Sequence, residues 1–410
     1  MRKWRVLSAL LAVLLAAGIT VSAAHVQASG RNVSFAETVL EGAASDFAGL
    51  QLQARYVSDG CLHWSIGYAP GQGGSTQSAV CYDPPRGGRH EAPEGFWLTT
   101  GLSSREIYST EEPLDPGIEK MIEQVRAAAP STVEPYSEVL NAEDYLTELP
   151  VRVLNAVEWL NTDAVEALFH VPLPEHMAVQ VRVYHDGAAE LTAVGDGAVD
   201  CWCDSVVGED AVWFTADFMK GDDIWYPGGG VYRAADRAEL LYPLSAESRT
   251  RYLSRSADGA RLRLITKESD AFTLTVLDAE TGAALQTMAI PVEAGDELWS
   301  TQEADGDLLL LAGEKFLLLS EAEDGTYTLA MQGSIAGDEV FNGSAPWRTF
   351  AYDGERLAIV NMSTRLLCSV YRADGSRSRM ESTGSLTPED VGWGLAETIL
   401  AFRFVKEAKS

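Results

Sequence analysis

The side chains best suited to chemistry are aspartates and aromatic residues gathered between positions 196 and 226. Asp196, Asp200, Trp202 and Asp204 follow strand alternation, which predicts that they share one face of a strand. Their carboxylates could hold Ca²⁺, although no DxDxDG loop is present, and the aromatic rings could stack on a sugar or a peptide. The interpretation that the abundance of acidic residues favours is a solvated acidic surface, and a ligand surface is the alternative to it. The predicted binding residues are Asp200, Trp202, Asp204, Asp222, Asp223, Trp225 and Tyr226.

Motifs of established catalytic chemistry are missing from the sequence. It contains no GxSxG or SxxK nucleophile motif, no Walker or dinucleotide glycine pattern, and no HExxH or HxH spacing. Acidic residues are so abundant that any two of them are weak evidence for an acid–base pair. Gly228, Gly229 and Gly230 open no helix, which predicts a mobile loop between strands. The sequence therefore favours a protein that is not an enzyme. It assigns no catalytic residue and no metal ligand, and Ca²⁺ is the one cofactor that it leaves open.

The five cysteines suggest at most one disulfide. Cys61 and Cys81 fall on consecutive predicted strands, so they are the disulfide candidate in an oxidising compartment. Cys201 and Cys203 lie two residues apart and are expected to be small core residues. Cys368 is expected to be buried.

Charge narrows the class of partner. The 410 residues include 60 acidic and 31 basic side chains, giving a formal net charge of −29. Nucleic acid and anionic membrane surfaces are unsuitable partners, because binding phosphate requires clustered Lys and Arg. A hydrophobic content of 46% is nevertheless enough to build a core.

The N-terminal segment resembles an export signal in its charge and hydropathy. Residues 1–5 carry three cations and no acid, residues 6–24 are uncharged and mostly apolar, and small residues follow. This pattern predicts a signal peptide over residues 1–28 and a secreted or extracytoplasmic protein. The alternative is an uncleaved membrane anchor over residues 6–24. Residues 29–46 are predicted to be a flexible N-terminal segment.

An internal repeat of about 47 residues organises the rest of the chain. A turn followed by an apolar run recurs, and a second turn lies inside each unit, as at Asp374-Gly375. Asp-Gly suits a tight hairpin because Gly accepts a positive φ. The first turns are separated by 47, 48, 47 and 48 residues and begin at Asp163, Asp210, Asp258, Asp305 and Asp353.

Four short strands per repeat predict an all-β protein, with a β-propeller domain over residues 47–410. About seven four-stranded blades fit the spacing, six is the alternative count, and a β-sandwich is the alternative fold. A small helical elaboration is predicted at 111–150, with Asp115 as the cap, Pro116 opening the first helix and a second short helix over 141–149. The last strand, near 397–405, would complete the first blade and close the ring.

The stretch from Val276 to Leu285 resembles the VLDAxTGxxL hairpin of bacterial quinoprotein-like and YVTN-type β-propellers. The resemblance covers ten residues and implies a propeller architecture, which hosts many functions. It does not imply quinone-dependent dehydrogenase activity, because the redox members of that family use an adjacent Cys-Cys pair and this chain has none.

Together these features predict an extracytoplasmic binding or interaction propeller, most simply a monomer. Its ligand would be a cationic protein, a peptide or cell-wall material at the cell surface. One alternative is a propeller-type glycan hydrolase or lyase that uses carboxylates near the central channel. A second alternative keeps residues 6–24 as an anchor and makes the chain a membrane-bound sensor or assembly factor.

Overall fold

The computed structural model describes most of the chain outside its termini and several loops. The described residues are 13–22, 24, 35–58, 62–74, 76–82, 96–100, 106–108, 115–130, 134–155, 167–194, 199–208, 211–220, 224–235, 238–342, 348–362, 365–384 and 396–405. They form two compact units, one from residues 1–89 and 297–410 and the other from residues 90–296.

Strands dominate both units. Among the described residues, 13–22 form helix α1, Pro116–Ala128 forms helix α2, and 3₁₀ turns cover Ala44–Phe47, Ala142–Asp144 and Glu339–Phe341. In chain order the strands are β1 (Phe35–Glu41), β2 (Leu50–Ser58), β3 (Leu62–Tyr68), β4 (Thr76–Tyr82), β5 (Phe96–Thr100), β6 (Glu106–Tyr108), β7 (Tyr136–Asn141), β8 (Glu148–Asn155), β9 (Ala167–Pro172), β10 (Ala178–Val183), β11 (Ala189–Val194), β12 (Val199–Trp202), β13 (Ser205–Val207), β14 (Val212–Lys220), β15 (Ile224–Ala234), β16 (Ala238–Pro243), β17 (Ser248–Arg255), β18 (Arg261–Glu268), β19 (Ala271–Asp278), β20 (Ala284–Ile290), β21 (Leu298–Ala304), β22 (Asp307–Ala312), β23 (Lys315–Glu321), β24 (Tyr327–Ser334), β25 (Arg348–Tyr352), β26 (Arg356–Asn361), β27 (Leu366–Arg372), β28 (Arg377–Gly384) and β29 (Ala396–Phe404).

The predicted repeat is visible as consecutive antiparallel sheets. β17 to β20 and β21 to β24 are four-stranded meanders, and β25 to β28 form a third with β1 added at its edge. The fold class is therefore confirmed: the chain is all-β and built from propeller-type blades. The described strands make seven sheets, whereas the number of blades stays a prediction.

The Asp-Gly turns shape these hairpins as expected. At Asp305-Gly306 both residues have positive φ (50° and 91°), which is the geometry of a type I′ turn. In other turns the aspartate side chain accepts a hydrogen bond from the amide two residues on, as Asp258 does from Ala260 at 3.0 Å. The predicted turns at Asp163 and Asp210 lie outside the described residues.

The two chain ends complete sheets in the first unit. β29 pairs with β2 in the sheet β29-β2-β3-β4, so the last strand finishes the first sheet as predicted. β1 pairs with β28, and Phe35 packs its ring 4.6 Å from that of Tyr68. The flexible segment predicted over 29–46 is therefore corrected for residues 35–46, because Phe35 and Phe47 are buried in this core. Residues 29–34 lie outside the described part.

The second unit is less regular in its first half. Its sheets are β5-β8-β9, β6-β11-β10-β7, a sheet of β12 to β16, and β17-β18-β19-β20. Helix α2 begins as predicted, since Asp115 accepts a hydrogen bond from the Gly117 amide at 2.8 Å and Pro116 occupies the first turn. α2 packs on β7 and β10.

The second short helix predicted over 141–149 is wrong. β7 ends at Asn141, the 3₁₀ turn Ala142–Asp144 leads the chain onward, and β8 starts at Glu148. Pro150 opposes a continuing helix, and Leu149 and Val151 are buried on β8.

Among the described residues, no helix is both long and apolar enough to cross a membrane.

The pairing of β29 with β2 can be tested through the packing of the last strand. Phe402 is 6% exposed in the core of the first sheet, whereas Leu400 on the same strand is 53% exposed. We expect Phe402→Ala to lower the free energy of unfolding by about 3–5 kcal/mol, because it leaves a cavity. Leu400→Ala is the matched control and should change it by less than about 0.5 kcal/mol. Equal effects in denaturant unfolding would contradict this packing.

Candidate functional site

Strand β14 carries a polar stripe through an otherwise apolar core. Phe214, Ala216 and Phe218 pack in the main core of the second unit, and Trp213 packs in a separate cluster beside it. Strand alternation places the residues between them on the same side as Trp213. These residues are polar: Thr215 is 0% exposed and Asp217 is 5% exposed.

Asp217 is held by the neighbouring sheet. Its Oδ2 accepts hydrogen bonds from the Thr250 amide at 2.8 Å and from Thr250 Oγ1 at 2.6 Å. Thr250 lies on β17, so one carboxylate oxygen ties the sheet of β14 to the sheet of β17. A buried carboxylate needs such donors, because an ion left without them costs several kcal/mol.

Two irregularities in the strands surround this contact. The register between β14 and β15 shifts between Ala216 and Phe218, which leaves Asp217 out of the pairing between these two strands. The register between β17 and β18 shifts between Thr250 and Tyr252, next to the donor. Bulges of this kind redirect a side chain and are common beside functional sites.

The glycines after Trp225 and Tyr226 form the other side of the first bulge. The sequence predicts a mobile loop there, and this is wrong: Gly228, Gly229 and Gly230 lie inside β15. Gly228 has a φ of 105°, and a Cβ on Gly230 would lie 2.5 Å from the Tyr242 carbonyl oxygen. The glycines are needed because the backbone bends and approaches its neighbour closely.

Asp204 belongs to the same network. Its amide donates to Thr215 Oγ1 at 2.9 Å, and its carbonyl oxygen accepts from the Thr215 amide at 2.8 Å. The Thr250 hydroxyl lies 3.4 Å from Thr215 Oγ1. Asp204, Thr215, Asp217 and Thr250 therefore form one connected group, here named the Asp217 network.

Burial changes the acidity of both carboxyl groups. Desolvation raises the pKa of Asp217, the two hydrogen bonds from Thr250 oppose the rise, the charge of Asp204 adds to it and Arg251 opposes it. Desolvation also raises the pKa of Asp204. Asp217 is almost fully buried, whereas Asp204 is exposed as a whole residue.

The structure places several of the predicted binding residues around this network. Trp202 lies opposite Asp217 in the β12–β14 ladder and is 66% exposed. By backbone register, Asp200 pairs with Met219, and Met219 pairs with Trp225. Tyr226 pairs with Phe218. The side chains of Asp200, Trp225 and Tyr226, and the whole of Asp196, Asp222 and Asp223, lie outside the described part of the structure.

The single strand face predicted for the aspartates is only partly correct. β12 ends at Trp202, and Asp204 lies in the short break before β13. Across the described residues, no group of three or more His, Cys, Asp or Glu side chains is placed to hold a metal ion. The Ca²⁺ site considered from the sequence stays a prediction, because most of its aspartate side chains lie outside the described part of the structure.

The cysteines take structural positions where they are described. Cys201 and Cys203 are half-buried, form no disulfide and pack against the core of the second unit, as predicted, and Cys368 is buried in the core of the first unit. Cys81 pairs with His63 in the β3–β4 ladder. The predicted disulfide from Cys61 to Cys81 lies outside the described residues.

Asp217 and Thr250 were missed by the sequence patterns. The only local sign was one aspartate inside the apolar run from Val212 to Phe218. A charged residue inside a strand buried on both faces signals a paired or functional group. Its partner is 33 residues away, and no spacing rule points to Thr250.

No protein-family model matches this chain, and no curated protein matches it. Solved structures similar to it include the periplasmic gluconolactonase PpgL of Pseudomonas aeruginosa, at 15% identity and a TM-score of 0.34 over 87% of this chain and 99% of that one. A putative 6-phosphogluconolactonase from Bacteroides uniformis has 12% identity and a TM-score of 0.30 over 85% and 99%. TolB from Acinetobacter baumannii has 10% identity and a TM-score of 0.20 over 67% and 86%. Similarities this weak carry no information about the chemistry of the site.

The raised pKa of Asp217 predicts a pH dependence of stability. Folded Asp217 holds its proton more strongly than the unfolded chain does, so its contribution falls as the pH rises from the ordinary value of 3.8 through the raised pKa. Asp217→Asn should remove this fall, and the stability of the wild type relative to the variant should decline with pH. Denaturant unfolding at a series of pH values measures it.

Asp258 provides a control of opposite sign. The Ser256 hydroxyl and the Ala260 amide lower the pKa of Asp258. Relative to Asp258→Asn, the wild type should therefore lose stability as the pH falls. Parallel pH curves for the wild type and Asp217→Asn would contradict a buried, desolvated carboxyl at 217.

Proposed function

We propose that this chain is an extracytoplasmic binding protein that takes a cationic ligand at Trp202 and Asp204. The observation that supports this most is the exposure of Trp202, which is 66%, directly opposite Asp217 in the ladder and two residues before Asp204. A large aromatic ring held in water on a sheet is a common feature of binding surfaces.

The chemistry of these groups suits a cation. The face of an indole ring attracts ammonium and guanidinium groups, and a carboxylate beside it supplies the opposite charge. The net charge of −29 would steer cations towards the protein and repel anions. A protein, a peptide or cell-surface material carrying Lys or Arg side chains is the proposed ligand class.

The extracytoplasmic location rests on the predicted signal peptide over residues 1–28. Mass spectrometry of the N-terminus tests whether this signal peptide is cleaved, since an intact Met1 would contradict cleavage. This part of the proposal is independent of the ligand.

A fluorescently labelled hexalysine peptide tests the ligand class. We expect it to bind at low salt, to bind more weakly as salt increases, and to lose roughly three- to tenfold in affinity with Trp202→Ala. Trp299→Ala is the matched control, because Trp299 is a second exposed tryptophan (48%) on β21. Equal losses in the two variants, or binding that is indifferent to salt, would contradict the proposal.

A second candidate function is hydrolysis or elimination on a glycan. Its support is that Asp204 and Asp217 belong to one hydrogen-bonded network, and burial raises the pKa of both carboxyl groups, which is the direction that suits a general acid. Release of reducing ends from cell-wall polysaccharide measures it. Activity should be lost in Asp217→Asn and kept in Asp258→Asn, and a wild type without activity would exclude this function.

A further inference from the structure

The first unit contains a cavity lined by neutral polar side chains. It measures about 440 Å³ and lies on the sheet β29-β2-β3-β4 and the loop after β3. Four glutamines line it, and among its described lining residues none is charged. The glutamines are Gln51, Gln53, Gln72 and Gln77. In a chain with 60 acidic residues, a neutral amide-lined cavity is a distinct site.

The register of the sheet explains the shape of the cavity. Gln53 pairs with Gly67, and Gly67 pairs with Gln77, so two amides flank a position without a side chain. Gln51 lies two residues from Gln53 and points to the same face by alternation. The floor between the amides is open because Gly67 contributes only backbone.

The amides are available to a ligand. All four glutamines are exposed, and within the described part of the chain their side-chain amides have no hydrogen-bond partner. An amide both donates and accepts hydrogen bonds, which matches hydroxyl groups that also do both. The volume falls within the range of about 300–1,000 Å³ that is typical of small-ligand sites.

Buried side chains and hydrogen bonds support the sheet and the loop behind the amides. Leu52, Ile66 and Tyr68 are buried on the opposite face of the sheet or at its end. Glu37 accepts hydrogen bonds from the Gly71 and Gly73 amides, both at 2.9 Å, and from the Tyr68 hydroxyl at 2.7 Å. Strand β1 therefore fixes the loop that carries Gln72, and a preformed site loses less entropy on binding.

We propose that this cavity binds a neutral polyhydroxylated ligand, namely an uncharged mono- or disaccharide. The exposed amides supply the matching donors and acceptors, the described lining residues offer no charge to select an ion, and Gly67 leaves room for a sugar ring. This site is separate from Trp202, so the proposal is tested independently of the function proposed above.

Saturation-transfer NMR with cellobiose and diacetylchitobiose tests the proposal. We expect a signal from at least one of these sugars with the wild type and none from glucuronate. Gly67→Val should abolish the signal by filling the floor, and it should leave the fold intact, since a Cβ at Gly67 would meet its nearest atoms at 3.7 and 3.8 Å and Val suits a strand.

Gln77→Ala gives a second variant that removes one amide without adding bulk. It should weaken sugar binding at least roughly fivefold, whereas Gln332→Ala, on the exposed face of β24, should not change it. Hexalysine binding should be equal in all three variants. Absence of any sugar signal with the wild type, or an unchanged signal with Gly67→Val, would overturn the proposal.

Discussion

Sheets covered on both faces leave little room for charge, and this constraint governs both units. The second strands of three meanders, β18, β22 and β26, are buried almost from end to end. A polar group in such a strand must find partners within the protein. Arg263 on β18 does so by donating to the Arg255 carbonyl oxygen at 2.6 Å. Arg348 is also buried, on the first strand of the third meander, β25, and donates to Gln302, Phe341 and Ser300.

Asp217 follows the same constraint in a different way. Its partner Thr250 is on another sheet, and both residues lie at shifts in strand register. Two donors of Thr250 stabilise the carboxylate, and burial nevertheless raises its pKa. Local departures from regular strand geometry of this kind are expected at functional sites. The exposed Trp202 opposite Asp217 is consistent with that view.

Much of the fold could be predicted because it is encoded locally. Asp258-Gly259, Asp305-Gly306 and Asp353-Gly354 close hairpins through their own side chains and backbone angles, so a fixed spacing revealed the repeat. β1 was missed because short strands added at an edge carry no turn of their own. The site was predicted only in part. Trp202 and Asp204 stand out in the sequence as an acidic and aromatic patch. Asp217, in contrast, depends on Thr250, and the bulge at the glycines of β15 is visible only in the pairing with the neighbouring strand.

A double-mutant cycle between Asp217 and Thr250 tests the central claim most directly. The free energies of unfolding of Asp217→Ala, Thr250→Val and the double variant would be compared with that of the wild type at neutral pH. The hydrogen bonds across the two sheets predict a coupling energy of about 1–3 kcal/mol. Additive effects, within about 0.5 kcal/mol, would contradict a carboxylate whose position and protonation depend on Thr250.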